Sequence, residues 1–348
     1  MNKGITIGMD MGDKRNVICV LDRDGNVMAR CNIANTAVAM RKHFKEYQGA
    51  TVAIEAGTHS GWTSRLLEEL GCEVLIGNPR KVRAIYRNDG KSDEQDAEIL
   101  ARMARFDRSL LHPIHHRGER AQMDLEVIKA RDILVQSRTK LVNHVRGAVK
   151  AVGGRIGACS AESFSFRAEG ELPAGLVPAL LSVLEMIQAL TDKIRIYDKM
   201  VREMSKSHYP EAERISQISG VGPLTSVAYV LTLEEPGRFA KSRQVGPYLG
   251  LTPRRDQSGD TDKQLRITKA GNDYLRRLLV GCAHYIMGPF GPDSDLRRYG
   301  ERIAKRGGKN AKRRAIVAVA RKLAVLMHSL WKSGQEYEPL RKRCAKAA

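Results

Sequence analysis

The stretch Gly4–Ile33, GITIGMDMGDKRNVICVLDRDGNVMARCNI, decides the fold class. Ile5, Ile7 and Met9 alternate with smaller or polar residues, the period of two expected of a strand with one buried face. Asn16–Asp22 and Val27–Ile33 are two further β-rich runs. Asp24-Gly25-Asn26 between them is turn chemistry, so the pair reads as a hairpin. Further along, Thr51–Glu55 and Cys72–Gly77 are short β-rich runs, while Ala37–Tyr47, Gly61–Leu70 and Ala97–Phe106 read as helices. Strands interleaved with helices after an antiparallel ribbon make an α/β domain, with Val52–Glu55 inside its sheet.

Beyond it the pattern turns helical. Glu119–Val152 reads as one long helix rich in Lys and Arg, and Arg155–Gly175 breaks it with Gly, Ser and Pro. A second helix carries Leu176, Leu180, Val183, Ile187, Leu190, Ile194, Tyr197, Val201 and Met204 in steps of 4 and 3, a heptad seam. Such a seam is covered either by another chain in a coiled coil or by Glu119–Val152 in a hairpin; the expectation here is self-association. Glu211–Ala348 is helical, basic and loop-punctuated. The expected division is therefore 1–110 (α/β), 111–208 (coiled coil) and 209–348 (basic and mainly α-helical).

Composition removes several function classes. With 348 residues, 42% hydrophobic and 28% charged, the chain is not disordered throughout. Cys19, Cys31, Cys72, Cys159, Cys282 and Cys344 are scattered without a CxxC pair, which excludes a zinc ribbon and points to a reducing, cytoplasmic setting. No apolar run is expected to reach the roughly 18 residues of a membrane span, and Met1–Asp10 has no signal-peptide core. The formal net charge is +20. From Arg238 onward 26 Lys and Arg face 9 Asp and Glu, leaving +17, whereas the preceding residues hold 33 and 30, leaving +3. A basic region joined to a nearly neutral one is the footprint of a polyanion partner. Aromatics at 5% favour nucleic acid over a membrane surface.

Four carboxylates stand out. Asp10 closes the first strand in Ile-Gly-Met-Asp-Met-Gly, and Glu55 closes a later one in Val-Ala-Ile-Glu-Ala-Gly. Asp93 and Asp96 lie three apart at the start of a helix, on one face. Each has a plain reading too: a strand end, or acids in a helix's first turn. Together, at adjacent strand ends below a helix, they suit Mg²⁺ or Mn²⁺ with its oxygen ligands. His112, His115 and His116 surround Pro113 in an expected interdomain loop, which reads as solvated before it reads as a metal site.

In the basic region, Ile215-x-x-Ile218-x-Gly220-Val221-Gly222-x-x-x-Ser226 matches a helix-hairpin-helix, whose turn presents backbone N–H groups to phosphate. A plain helix connector has the same spelling. Leu249–Asp260 reads as a loop carrying Arg254, Arg255 and Ser258 beside Gly259. The arginines suit a phosphate; from local sequence alone, Ser258 is a turn residue before it is a nucleophile. Lys309, Lys312, Arg313 and Arg314 form a phosphate-contacting turn ahead of an apolar core helix, Ala315–Leu330.

These motifs, in this order, resemble the DEDD transposases of bacterial insertion sequences, kin to Piv-type DNA invertases and described as bridge-RNA-guided recombinases. The resemblance spans nearly the whole chain. It includes Thr-Lys-Ala-Gly-Asn at 268–272 and Leu-Arg-Arg at 275–277, which adds Lys269, Arg276 and Arg277 as candidate nucleic-acid contacts. It implies a RuvC-like, ribonuclease H-type first domain whose acidic tetrad (Asp10, Glu55, Asp93, Asp96) holds Mg²⁺. It also implies that Ser258 attacks the DNA phosphodiester to form a covalent phosphoserine link. The site would be composite between protomers, the coiled coil would assemble dimers into a tetramer, and a noncoding bridge RNA would pair with donor and target DNA. The expected protein is a cytoplasmic, nucleoid-associated bacterial enzyme. Two alternatives stand beside it: a RuvC-like two-metal hydrolytic nuclease with Ser258 structural, and a non-enzymatic nucleic-acid-binding regulator.

Overall fold

Strand β1 (Thr6–Met11) pairs antiparallel with β2 (Arg15–Leu21), and β2 antiparallel with β3 (Val27–Ala34). The β2–β3 turn is built by Asp22, whose Oδ1 accepts from the N–H groups of Asp24 and Asn26, both at 2.8 Å. Gly25 there takes a φ of +87°, which favours glycine. This computed structural model describes residues 4–82, 92–258 and 261–341. It divides into two compact units, Met1–Glu119 and Arg120–Ala348.

The first unit continues through α1 (Ala37–Phe44), β4 (Thr51–Glu55), α2 (Ser60–Glu69), β5 (Glu73–Gly77), α3 (Pro79–Val82) and α4 (Asp93–Phe106). The sheet order is β3-β2-β1-β4-β5, with β1, β4 and β5 parallel. Alternation gives the two faces different tasks. Ile7, Met9, Val52 and Ile54 bury against Met40 and Phe44 of α1 and Leu66 and Leu67 of α2. On the opposite face, Ala53 packs with Leu100, Met103 and Ala104 of α4, and Cys19 and Leu21 pack with Ala97 and Ala101. Gly8 lets α4 lie directly on β1: a Cβ there would stand 1.9 Å from the Ala97 carbonyl oxygen. Ser92 caps α4, its Oγ accepting from Gln95 N–H at 3.2 Å.

The second unit holds α5 (Glu119–Ala151, from the unit boundary), α6 (Phe164–Glu171), α7 (Val177–Ser207), α8 (Pro210–Ser216), α9 (Pro223–Leu233), α10 (Val245–Tyr248), β6 (Pro253–Ser258), β7 (Thr261–Ile267), α11 (Asp273–Met287), α12 (Asp295–Ala304) and α13 (Ala311–Ser333). Its centre is α9, every residue from Thr225 to Leu233 buried. Tyr229 donates to the Ala324 carbonyl of α13 at 2.6 Å. Val319, Leu323 and Met327 of α13 and Leu275, Leu279 and Ala283 of α11 complete this core, as the apolar run after Arg314 predicts.

Three expectations change. The heptad seam of α7 is covered within the chain, because α5 runs antiparallel along it. Leu125 and Ile128 cluster with Val201 and Met204, and Val145 and Val149 with Leu180, Leu184 and Ile187. Arg131 binds Asp198 at 2.6 Å and Arg138 binds Thr191 Oγ1 at 3.2 Å along the same seam. A second chain is not needed to bury it. The helical span Ala174–Ser207 is also long and apolar enough, by length and composition alone, to cross a membrane, contrary to the reading that no such run occurs. Its Leu180, Leu184 and Ile187 are spent on the α5–α6 core. The stretch 155–175 read as a breaker contains α6, which Phe164 and Ala168 pin to α7 by burial at a four-residue spacing. The five described cysteines are free thiols, and Cys344 lies outside the described residues.

Candidate functional site

In the first unit the register carries the site. Met9 pairs with Ile54 in the parallel β1–β4 ladder, so the next step sets Asp10 beside Glu55 at the C-terminal ends of neighbouring strands. Asp10 shares a face with Gly8, and Glu55 with Ala53, and both of those face α4. The direction of α4 follows from its contacts: Arg105 near its end donates to Gly4 O at 3.1 Å, and Ala97 and Ala101 lie over Gly8. Its first turn, with Asp93 and Asp96, therefore points toward the Asp10–Glu55 end. Asp93 is exposed; Asp10, Glu55 and Asp96 are half-buried. The four acids share one end and one face of the sheet, and Asp10 and Glu55 are neighbours. Among the described residues no three of His, Cys, Asp and Glu stand close enough to hold a metal ion by themselves. Residues 83–91, just before α4, lie outside the description.

Two further contacts gather around this end, and the second corrects the reading of His116 as part of a solvated loop. His59 Nε2 lies 3.4 Å from Asp13 Oδ1, and the Trp62 indole N–H donates to His59 Nδ1 at 3.3 Å. Ser60 Oγ, wholly buried, lies 2.7 Å from His116 Nε2 while exchanging hydrogen bonds with Gly57. Burial, reinforced by the Arg65 and Arg117 cations, holds the His116 imidazole below its usual pKa. The contact bridges 56 residues, so no local motif could have signalled it. His112 and His115 remain exposed, as a solvated loop predicts.

In the second unit Ser258 closes β6, paired in register with Thr261 of β7. A hairpin replaces the expected loop, and Gly259 and Asp260 fall outside the described residues. All six residues of β6 are exposed, so no hydrophobic alternation marks it in the sequence. Alternation sets Ser258 on the face of Asp256 and puts Arg255 with Gln257 on the other; Arg254 lies at an irregularity between Pro253 and Arg255. The hairpin's root is stitched by backbone: Thr268 N–H donates to Thr252 O at 2.9 Å and Lys269 N–H to Gly250 O at 3.2 Å. Gly250 and Gly271, with φ of +66° and +70°, press so close to Ala270 and Tyr248 that a Cβ would overlap backbone.

Arg276, expected to contact nucleic acid, belongs to this root. It is 7% exposed, and its guanidinium donates to Leu249 O at 3.0 Å, Ala270 O at 2.8 Å and Asp273 Oδ1 at 2.7 Å. Its donors are consumed internally, which corrects that expectation. Arg277 is half-exposed, bound to Asp132 at 2.8 Å and Asp273 at 3.2 Å over the Tyr274 ring. Lys269, Lys309, Lys312, Arg313 and Arg314 all face water, Arg314 also donating to Gly307 O at 2.8 Å. The Gly220-Val221-Gly222 turn does join two helices, α8 and α9. Gly220 (φ +90°) seats it on the Tyr285 ring, Val221 is buried, and Gly222 at the N-terminus of α9 is exposed.

Comparison with known proteins agrees with this organisation. A family model described as transposase, the DEDD type of IS110 elements, matches residues 7–153. A second, described as transposase of the IS116/IS110/IS902 family, matches residues 212–299. The chain is 26% identical over 341 residues to a probable family 20 transposase of Pseudomonas aeruginosa, covering 96% of this chain and 98% of that one. It is 26% identical over 348 residues to the transposase for insertion sequence element IS1111A of Coxiella burnetii, covering 95% and 90%. It is 27% identical over 287 residues to the transposase for insertion sequence element IS1328 of Yersinia enterocolitica, covering 81% and 83%. Two family models in chain order, the first running from β1 through α5 and the second lying within the second unit, and relatives matched end to end place this chain in the DEDD-type transposases of insertion sequences: it is a DNA transposase.

Proposed function

We propose that the protein cuts and rejoins DNA through a covalent phosphoserine intermediate on Ser258, at a Mg²⁺-assisted site held by Asp10, Glu55, Asp93 and Asp96. The observation that carries this reading is the Met9–Ile54 register pair, which brings Asp10 and Glu55 to neighbouring strand ends on the side of the acidic first turn of α4. The strand order β3-β2-β1-β4-β5 and the packing of α4 support a RuvC-like first domain. Mg²⁺ binds through one or two carboxylates, completing its shell with water and substrate phosphate. The Asp10–Glu55 pair fits that demand without a preformed cage, and such an ion supplies charge neutralisation at the scissile phosphate.

The chain's own groups account for the rest. The Ser258 hydroxyl gives up its proton, its Oγ–P bond forms as the P–O bond to deoxyribose breaks, and the leaving oxygen takes up a proton. One phosphoester replaces another, so the reverse attack rejoins DNA without an external energy source. Arg254 offers a guanidinium for the phosphate oxygens. Gly222, Lys269, Arg277, Lys309, Lys312, Arg313 and Arg314, with Arg255 from the opposite face of β6, grip backbone phosphates. A noncoding bridge RNA selects donor and target by base pairing, which leaves the protein to read shape and charge. A dimer or tetramer brings Ser258 and the acids together from different protomers. The regions 1–110 and 209–348 then divide the labour into metal site and strand transfer, with the α5–α7 hairpin of 111–208 between them in the chain.

The test is covalent trapping. Protein, Mg²⁺, RNA from the flank of the element and labelled target DNA are incubated, denatured and resolved beside Ser258→Ala and Asp10→Ala. A protease-sensitive adduct absent from both variants is expected. Cleavage without adduct, unaffected by Ser258→Ala, would identify a hydrolytic nuclease instead.

A further inference from the structure

The loop between α11 and α12 reads Gly288-Pro289-Phe290-Gly291-Pro292-Asp293-Ser294, and its phenylalanine is 82% exposed. Phe106 and Phe166 are as exposed, so exposure alone singles out nothing; what sets Phe290 apart is the loop that holds it and the charge around it. The loop that presents it is rigid. Arg297 Nη1, from the first turn of α12, donates to the carbonyl oxygens of Ile286, Gly288 and Gly291 at 3.2, 2.7 and 2.8 Å. Gly291 packs so tightly that a Cβ would stand 2.3 Å from Ile286 O, and the flanking prolines fix φ on both sides of the Phe290–Gly291 pair. A guanidinium spent on three carbonyls to hold one exposed ring is a presentation device.

The surroundings say what the ring meets. Phe290 lies in the region of net charge +17, which suits a polyanion and repels a basic protein surface. Gly288, two residues before it, lines a cleft of about 680 Å³ with an apolar floor of Val280, Ile316 and Val317. Lys312 and Arg313 stand at the rim of that cleft. An aromatic platform, an apolar recess and a cationic rim together fit a nucleobase out of its helix and the phosphate attached to it.

We infer that Phe290 is a base-stacking residue that takes an unpaired nucleobase, with Lys312 and Arg313 holding the neighbouring phosphate. The inference rests on the DNA-transposase assignment and not on the serine chemistry, so its test omits the metal. Full-length protein in EDTA is titrated by fluorescence anisotropy with a single-stranded DNA, the RNA of the same sequence, and the fully paired DNA duplex. Phe290→Ala is expected to weaken binding of the DNA or RNA with unpaired bases about tenfold, Phe290→Trp to restore it, and duplex binding to stay unchanged. Which of the two single-stranded arms responds identifies the source of the base. Lys312→Ala is expected to make the salt dependence shallower by about one ion, and Phe290→Ala to leave it alone. Unchanged affinity of Phe290→Ala for both single strands overturns the inference, as does an equal loss on the duplex. A fall in sedimenting mass with affinity intact also overturns it and makes the loop a self-association contact.

Discussion

Two arginines one residue apart show how much a side chain's surroundings decide. Arg276 and Arg277 carry the same charge, yet one is walled in by Leu249, Ala270 and Asp273 while the other is half in water. Arg276→Ala leaves two carbonyls without donors in a tight loop, a change expected to cost about 2–4 kcal/mol. Thermal unfolding should record this as a drop of several degrees, while the slope of log K against log salt for DNA stays that of the wild type. Lys312→Ala should do the reverse, with unchanged melting and a shallower slope. Equal salt slopes in the two variants would contradict the division. Gly8 makes a similar point from the backbone: Gly8→Ala drives a methyl group into the Ala97 carbonyl, and α4 has to lift from β1. An overpacking cost of about 3 kcal/mol is expected, with strand-transfer activity lost because the first turn of α4 moves away from Asp10 and Glu55.

At the scale of elements, α5 and α7 settle a question that periodicity cannot. A heptad seam states that something apolar covers it and says nothing of whose chain supplies the cover. Here Val145 and Val149 meet Ile187, and Leu125 and Ile128 meet Val201. Ile187→Asp therefore buries an unpaired carboxylate in the hairpin, and circular dichroism should show lost helix and a lowered melting temperature. Ile196→Glu, on the exposed side of α7, should leave both unchanged. Loss of mass on sedimentation with helicity intact in Ile187→Asp would mean that the seam serves a second chain. The same limit explains what sequence could and could not deliver. The β1–β2–β3 ribbon, β4 and the placement of Asp10 and Glu55 at strand ends were legible because buried strands write alternation and turns write Gly and Asp. The β6–β7 hairpin was not, since a strand exposed throughout has no buried face to betray it. Nor were Ser60–His116 or the Arg276 clamp, which are contacts across 56 and 27 residues rather than patterns.

For the whole molecule, pH reads out burial that charge counting misses. His328 is fully buried, its Nε2 3.0 Å from Pro236 O and its Nδ1 2.9 Å from Ser242 Oγ, with the Phe239 ring edge-on. Burial pushes its imidazole below the ordinary value, and the same cause acts first on His43 and His116 in the other unit. In each case the unfolded chain binds the proton more readily than the folded one. The stabilisation is therefore complete above the unfolded histidine value near 6.5, declines as pH falls below it, and levels off under the folded values. The carboxylates held low by their partners, Glu73 by Arg108 and Glu98 by Arg30, contribute in a separate and more acid window. Thermal melting should thus fall between pH 7 and pH 5 before those carboxylates titrate. His328→Gln keeps a side chain able to donate to Pro236 O and accept from Ser242, yet cannot take up a proton. It should flatten part of that fall while lowering the melting temperature at neutral pH, where the better-fitting imidazole is lost. A wild-type profile flat from pH 7 to pH 5 would show that these buried imidazoles titrate alike in both states.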